Sequence, residues 1–351
     1  MIAAGGTGGH VFPALAVANE LKSRDVSVVW VGTQRGMEST LVPQWGYPIR
    51  TLTVSALRGR GLLSRLRGGA RLIVSLFQSF KLMRSEAPQA VLGMGGYVAG
   101  PVCVVARLCN KRTVMHEQNA VAGFTNRLIK NFATIVLEAV PGTFDKKVKA
   151  IHTGNPVRNE ILLLPGPEQR MKNRSGPIRI LLIGGSQGAQ SLNQVFPKAL
   201  KLMGQDIAVR HQAGAGNKLE TRKAYEGCVQ EVEALEFIGD MAEAYAWADL
   251  LVCRAGAMTV AEIAAVGLAS VLVPYPYAVD DHQTANGRFL VEAGAAVMIQ
   301  ESNLSAKALA EQLTKLVTDR GHLITMASNA RNVSRRNATE LVVDEILGEV
   351  A

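Results

Sequence analysis

Residues 178–189 read IRILLIGGSQGA, an apolar run that passes at once into a glycine turn holding a small hydroxyl residue. A short apolar stretch ending in Gly184-Gly185-Ser186-Gln187-Gly188-Ala189 is what a buried parallel strand handing its chain to a helix requires. The same device opens the chain. Ile2-Ala3-Ala4 leads into Gly5-Gly6-Thr7-Gly8-Gly9-His10 and a helix through Leu15 and Leu21. The two copies lie about one domain apart, so the chain reads as two similar α/β domains, each begun by strand, glycine turn and helix.

The intervening sequence keeps this alternation. Val26 to Val31 reads as a second strand, and Ala90-Val91-Leu92 enters Gly93-Met94-Gly95-Gly96-Tyr97 with an apolar helix from Val98 to Leu108. Thr113 to Met115 is a strand that delivers His116-Glu117-Gln118-Asn119 to a loop. Pro165 to Pro177 is polar and aperiodic and reads as a surface loop or linker. Leu250 to Val252 leads into Arg254-Ala255-Gly256-Ala257 and a helix through Glu262; Ser270 to Val273 is a further strand. Ala338 to Glu349 has amphipathic spacing and is expected to pack back on the first domain.

Length and composition agree with two globular domains: 351 residues, 48% hydrophobic, 19% charged. The four cysteines (Cys103, Cys109, Cys228, Cys253) form no C-x-x-C pair, which fits a reducing compartment. No signal peptide is expected. The longest apolar run, Val98 to Ala106, is far short of the ~20 residues of a spanning helix. The net charge of +9 matters through its placement: Ser39 to Ser85 contains no Asp or Glu but holds Arg50, Arg58, Arg60, Arg65, Arg67, Arg71, Lys81 and Arg84. Such a one-sign surface attracts anions. The stretch has few aromatics for base stacking and no nucleic-acid motif, so nucleic acid is not an expected partner.

A glycine turn between a strand end and a helix start aims backbone N–H groups at an anion, although it can also be a tight turn alone. None of the three turns matches G-x-G-x-x-G, and the strand ending in Gly32-Thr33 lacks the acidic residue of a dinucleotide site. No G-x-x-x-x-G-K-[ST] occurs. In the segment 254–262, Thr259 and Glu262 share a helix face near its start. There a diphosphate can meet the helix end and the carboxylate can accept from ribose hydroxyls; the alternative is a carboxylate that only favours its helix. No D-x-D or His/Cys cluster suggests a metal, and Asp280-Asp281-His282 reads as a solvated loop. No cofactor is implied.

GGTGGH at 5–10, GMGGYVAGP at 93–101, HEQN at 116–119, GNPVR at 154–158, GGSQGA at 184–189 and RAGAMTVAE at 254–262 closely resemble, in order and along nearly the whole chain, the MurG family of glycosyltransferases (family 28). The resemblance implies a GT-B fold, two Rossmann-like α/β domains facing across a cleft. An acceptor domain would span 1–157, with helix 336–351 returning to it, and a donor domain 158–335. It implies metal-independent, inverting transfer of N-acetylglucosamine from UDP-N-acetylglucosamine (UDP-GlcNAc) to the C4 hydroxyl of the muramyl unit of lipid I, giving lipid II for peptidoglycan. The place of work would be the cytoplasmic face of the bacterial cell membrane, with peripheral attachment.

Carried over by motif, Ser186 and Arg158 would lie near the diphosphate and Ile238 beside the uracil. Ala257, Met258, Thr259, Val260, Ala261 and Glu262 would meet phosphate and ribose. Gln283 would contact the sugar, with Asn119 and Thr7, Gly8 and Gly9 also at the donor. Gly95, Gly96, Tyr97 and Asn126 would position the acceptor, Tyr97 and Asn126 with packing and capping as their alternative. The attacking hydroxyl needs a base with a pKa near 7. His10, at a helix start that keeps an imidazole neutral, is the candidate, Glu117 the second choice. His10 would otherwise bond its loop or the acceptor diphosphate, and Glu117 would otherwise order its own loop. Leu63, Leu66, Arg67, Arg71, Ile73, Phe77 and Phe80 suit docking on an anionic membrane, though part of that helix must serve the core. Rival readings are another GT-B UDP-sugar transferase, a UDP-GlcNAc epimerase, or a non-catalytic UDP-sugar-binding protein.

Overall fold

The structure, a computed structural model, describes residues 1–54, 62–185, 188–228 and 231–349, without the side chains of 62–67. The chain divides into two compact units, Met1–Arg158 with Arg335–Ala351, and Asn159–Ser334. The first holds β1 (Ile2–Ala3), β2 (Trp30–Thr33), β3 (Ile49–Leu52), β4 (Ala90–Gly93), β5 (Arg112–Glu117), β6 (Ile135–Glu138) and β7 (Ile151–His152) in the order β3-β2-β1-β4-β5-β6-β7. The second holds β8 (Ile178–Ile183), β9 (Ile207–Gln212), β10 (Glu231–Leu235), β11 (Leu250–Cys253), β12 (Ala269–Leu272) and β13 (Ala296–Met298) in the order β10-β9-β8-β11-β12-β13. The pairings are parallel in both sheets. Each unit is therefore Rossmann-like, with its order reversing beside the first strand. A ligand crevice opens at such a reversal, outside the carboxyl ends of the strands.

Side-chain alternation explains why the central strands of the first sheet are apolar on both faces. Ile2, Leu92, Val114 and Leu137 face one core, with Leu15 of the helix Gly8–Ser23 and with Val342, Val343 and Ile346 of the helix Ala338–Leu347. Their neighbours Ala3, Val91, Met115 and Val136 face the other, against the helix Gly96–Leu108. Both faces being covered, the middles of these central strands are apolar, and the polar residues His116, Glu117 and Glu138 come at the carboxyl ends of β5 and β6.

Three expectations are corrected. The second strand begins at Trp30, not Val26, because the Val26 N–H bonds back to the Leu21 carbonyl at 2.9 Å and closes the preceding helix. The strand expected to stop at Met115 continues, so His116 and Glu117 sit on β5 and only Gln118 and Asn119 enter the loop. Pro165 to Pro177 is not simply a solvated loop: it holds a short helix, Pro167–Met171, with proline at its start. Arg170 in that helix donates to the Val266 and Gly267 carbonyls, and Arg174 reaches the fully buried Asp249 at 2.6 Å.

Candidate active site

In the first unit, two glycine turns flank the strand-order reversal between β1 and β4. The turn after β1 is held from below by Glu38, a residue that no motif singles out. Its buried carboxylate accepts from the Gly6 N–H (3.1 Å), the Thr33 N–H (2.8 Å) and the Thr33 hydroxyl (2.7 Å). Gly5, Gly32 and Gly36 lie so close around it that a Cβ at any of them would collide with its side chain. Gly5 of this turn, with Gly32 and Gly36, thus makes room for a buried anchor.

The turn after β4 locks onto the first. Gly95 and Gly96 have φ of +91° and +77°, in the left-handed region that favours glycine. A Cβ at Gly95 would stand 2.9 Å from the His10 ring, and one at Gly96 would strike the Gly5 carbonyl. Gly95 and Gly96 are therefore placed to seat His10, which lies in the first turn of its helix with its N–H on the Thr7 carbonyl at 3.0 Å. Thr7 is exposed, and Gly8 and Gly9 are partly so. Tyr97, 52% exposed, starts the next helix.

His116, Glu117 and Gln118 are all buried. Glu117 accepts from the Asn119 N–H (2.9 Å) and side-chain amide (3.1 Å), the Gly123 N–H (2.9 Å) and the Asn126 amide (2.8 Å). Four donors at two oxygens occupy the carboxylate in ordering its loop. Asn126 is buried at that task and also reaches the His116 carbonyl, whereas Asn119 is partly exposed. The GNPVR segment clasps the same strand end: His116 Nε2 meets the Gly154 carbonyl at 2.9 Å, and Asn155 donates to the Gln118 carbonyl at 3.0 Å. Burial drives the His116 imidazole down to about 4, against the opposing pull of the Gly154 carbonyl and Glu117. It is neutral at physiological pH. Arg158 lies 5.3 Å from the centre of the Phe12 ring.

In the second unit, the reversal lies between β8 and β11. Ser186 and Gln187 are outside the described residues; around them, Gly184 abuts the backbone of Gly188 and Ala189, and Gly188 abuts the Ala213 carbonyl, too tightly for any side chain. After β11 the helix Ala257–Val266 begins, with Gly256 as N-cap and no side chain bonded to its first N–H groups as a cap. Ala257, Met258, Thr259 and Ala261 are partly exposed and Val260 is buried. Glu262, one turn in, is 8% exposed and accepts at Oε2 from the Tyr245 hydroxyl at 2.8 Å.

Arg254, beside this helix start, is a brace. It donates to the Val273 and Pro274 carbonyls and to Ser191, pairs with Glu301, and lies 5.4 Å from the Tyr275 ring centre. Gln283 accepts from the Tyr275 N–H at 2.9 Å, which turns its amide NH₂ away from that backbone. His282 instead contacts the Val279 carbonyl of its own loop at 2.7 Å. Ile238 is buried beyond β10. Among the described residues no group of three His, Cys, Asp or Glu side chains could hold a metal ion.

The helix Leu62–Ser85 serves the core with one face, where Met83 is buried and Leu76 and Leu82 pack, and leaves large apolar side chains on the other. Ser75 and Ser79 are fully buried, each with its hydroxyl on a backbone carbonyl of its own helix, while Ile73 and Phe77 are 67% and 78% exposed. Leu72, Val74 and Phe80 are exposed as well, with Arg71, Lys81 and Arg84 among them. The side chains of Leu63, Leu66 and Arg67 lie outside the described residues. No described helix is long and apolar enough to cross a membrane.

The profile of the glycosyltransferase family 28 N-terminal domain matches residues 1–138, and that of the family's C-terminal domain matches 179–342. The chain is 47% identical over 349 residues to the UDP-N-acetylglucosamine--N-acetylmuramyl-(pentapeptide) pyrophosphoryl-undecaprenol N-acetylglucosamine transferase of Marinobacter nauticus, covering 99% of this chain and 96% of the relative. The protein of that name from Coxiella burnetii is 46% identical, with 98% and 96% covered. Among solved structures, MurG of Acinetobacter baumannii matches with a TM-score of 0.87 and 41% identity, covering 99% of this chain and 98% of that one. A UDP-GlcNAc 2-epimerase from Neisseria meningitidis shares the fold alone, with a TM-score of 0.68 and 12% identity, at 99% coverage of both chains.

Proposed function

The chain belongs to glycosyltransferase family 28, and from that premise we propose that it transfers N-acetylglucosamine from UDP-GlcNAc to the muramyl C4 hydroxyl of the undecaprenyl-diphosphate-linked pentapeptide, with inversion. The observation that carries the reading is the pairing of two devices at the two strand-order reversals. One is a histidine seated by glycines in the first unit, the other a helix start with a buried carboxylate one turn in.

On the donor side, the opening N–H groups of the helix Ala257–Val266 carry the positive end of its dipole and suit a diphosphate. Glu262 takes the ribose diol, and Ile238 offers an apolar contact to the uracil. Gln283, its carbonyl committed to Tyr275, presents NH₂ donors to the sugar. As the glycosidic bond breaks, charge develops on the departing diphosphate, and fixed backbone dipoles meet it without reorganising. On the acceptor side, His10 takes the C4 hydroxyl proton as that oxygen attacks the anomeric carbon. Glu117 orders the loop that carries Asn119 rather than acting as the base, since four hydrogen bonds already engage it.

The exposed apolar side chains and basic residues of the helix Leu62–Ser85 suit peripheral docking on an anionic membrane, where the lipid-linked acceptor resides. Measuring UDP release from UDP-GlcNAc with and without a lipid diphosphate acceptor tests the function. Release should need the acceptor. Acceptor-independent turnover to an epimer would replace this reading with the epimerase one.

A further inference from the structure

Gln118 stands between the two histidines of the first unit, and its amide can be oriented from its neighbours. Its Nε2 lies 3.1 Å from the Met94 carbonyl and 3.3 Å from both the His116 carbonyl and His116 Nδ1. Exchanging nitrogen and oxygen would press the amide oxygen against two carbonyl oxygens, so nitrogen belongs there. The oxygen then faces His10 Nδ1 at 3.2 Å. An amide oxygen only accepts, so Nδ1 of His10 must carry a hydrogen. His116 agrees: its Nε2 must donate to the Gly154 carbonyl at 2.9 Å, which leaves Nδ1 to accept from Gln118.

We infer that Gln118 is the positioning residue of the acceptor half. It fixes His10 as the Nδ1–H tautomer and so places the imidazole lone pair on Nε2, the nitrogen that takes the acceptor proton. The relay runs from the Gly154 carbonyl through His116 and the Gln118 amide to His10, and each link has one donor and one acceptor. Glu117, which precedes Gln118 on the chain, points its carboxylate into the loop at Asn119, Gly123 and Asn126. In proton transfer, the partner that holds an imidazole tautomer is worth orders of magnitude when lost. Gln118 touches no substrate in this scheme.

The inference rests on His10 as the base, and the test separates the two. Nitrogen NMR of ¹⁵N-histidine-labelled full-length protein, with the His10 signals assigned from His10→Gln, should show Nδ1 protonated and Nε2 bare in the neutral wild type. Gln118→Leu should abolish that preference and cut kcat at least ~10-fold, a part of the usual general-base contribution, with KM for UDP-GlcNAc unchanged. Gln118→Glu keeps an acceptor at Nδ1. It should retain the tautomer, restore much of the rate, and move the acid limb of kcat to higher pH, because a carboxylate favours the imidazolium. A purely structural amide would leave the His10 tautomer unchanged in Gln118→Leu. A wild-type His10 protonated on Nε2, or full kcat in Gln118→Leu, overturns the inference. Full kcat in His10→Ala overturns the base assignment instead, whatever the tautomer. The wild-type spectrum decides the tautomer even if neither variant folds.

Discussion

The Tyr245 hydroxyl donates to Oε2 of Glu262 at 2.8 Å, inside a unit where both side chains are nearly closed to solvent. A carboxylate anchored by the Tyr245 hydroxyl has a fixed plane, to which, on the proposed reading, the ribose diol must come. Glu262→Ala should raise the donor KM by roughly 10- to 100-fold, the loss of hydrogen bonds to a charged group. It should also erase the preference for UDP-GlcNAc over its 2′-deoxyribose analogue. Tyr245→Phe should raise donor KM less, with the preference kept. A Glu262 that only stabilises its helix predicts a lower melting temperature with KM and discrimination intact.

His10→Ala should lower kcat by ~10² or more with donor affinity retained and the acid limb of the kcat profile gone. Glu117→Gln should behave differently, because its new NH₂ would face amide donors that now meet a carboxylate. It should lower thermal stability, and the activity that remains should keep the wild-type pH profile. If instead Glu117→Gln removes the acid limb and His10→Ala does not, the roles are reversed.

Gly95→Ala places a methyl group against the His10 ring at φ 91° and ψ −172°, an essentially glycine-only conformation that costs ~1–3 kcal/mol for an L-residue. Its kcat should fall with little change in donor KM. Equal loss of both would mean that Gly95 serves the turn alone.

On the exposed helix, the double change Ile73→Ser and Phe77→Ser should weaken binding to anionic vesicles, read by sedimentation, while turnover of a soluble short-chain acceptor stays near normal. Exchanging Arg71 for Gln should add to the loss, ~1 kcal/mol for a basic residue at a charged surface. Unchanged vesicle binding would put the membrane surface elsewhere.

Acid should destabilise both units through buried imidazoles. Burial lowers His116 from its ordinary 6.5 to about 4 and His211 to about 3. Below 6.5 the unfolded chain takes up protons that the folded one refuses. Their contribution is complete above pH 6.5 and shrinks as pH falls toward those values. At pH 5 each loss is on the order of 2 kcal/mol. Thermal melts between pH 7 and 5 should show the slope. His211→Gln should flatten it in part, and an unaltered slope counts against this origin.

Much of the site was legible because glycine turns after strands are local. GGTGGH, GMGGYV and RAGA each announce a strand end and a helix start within ten residues, and the structure has them there. What stayed hidden depends on distance along the chain. Nothing in GTQRGMEST marks Glu38 as the anchor of Gly6, 32 residues away. Nothing in RAGAMTVAE marks Arg254 as a brace whose partners are the Val273 and Pro274 carbonyls just past β12, Ser191 and Glu301. The arginines of 165–177 looked solvated because composition does not reveal which carbonyls await them. The HEQN motif gave its chemistry as four letters, but only the fold shows that Glu117 spends its oxygens on Asn119, Gly123 and Asn126.

Those arginines bear on how the two halves of the reaction answer to acidity. Arg170 and Arg331 lie on the Val266 and Gly267 carbonyls, the tail of the helix whose head is assigned to the diphosphate. Burial, with Arg174 and Arg331 nearby, brings Arg170 down to about 10, still well above neutrality. The tail therefore keeps its positive cover from pH 5 to pH 9, and the helix presents a steady field to the nucleotide throughout. A histidine base, as proposed for the first unit, has no such constancy, since an imidazole accepts a proton only while it is uncharged. On the proposed assignments, mild acid would leave the protein able to hold its donor but slow to use it, a poised state that turns over again when neutrality returns.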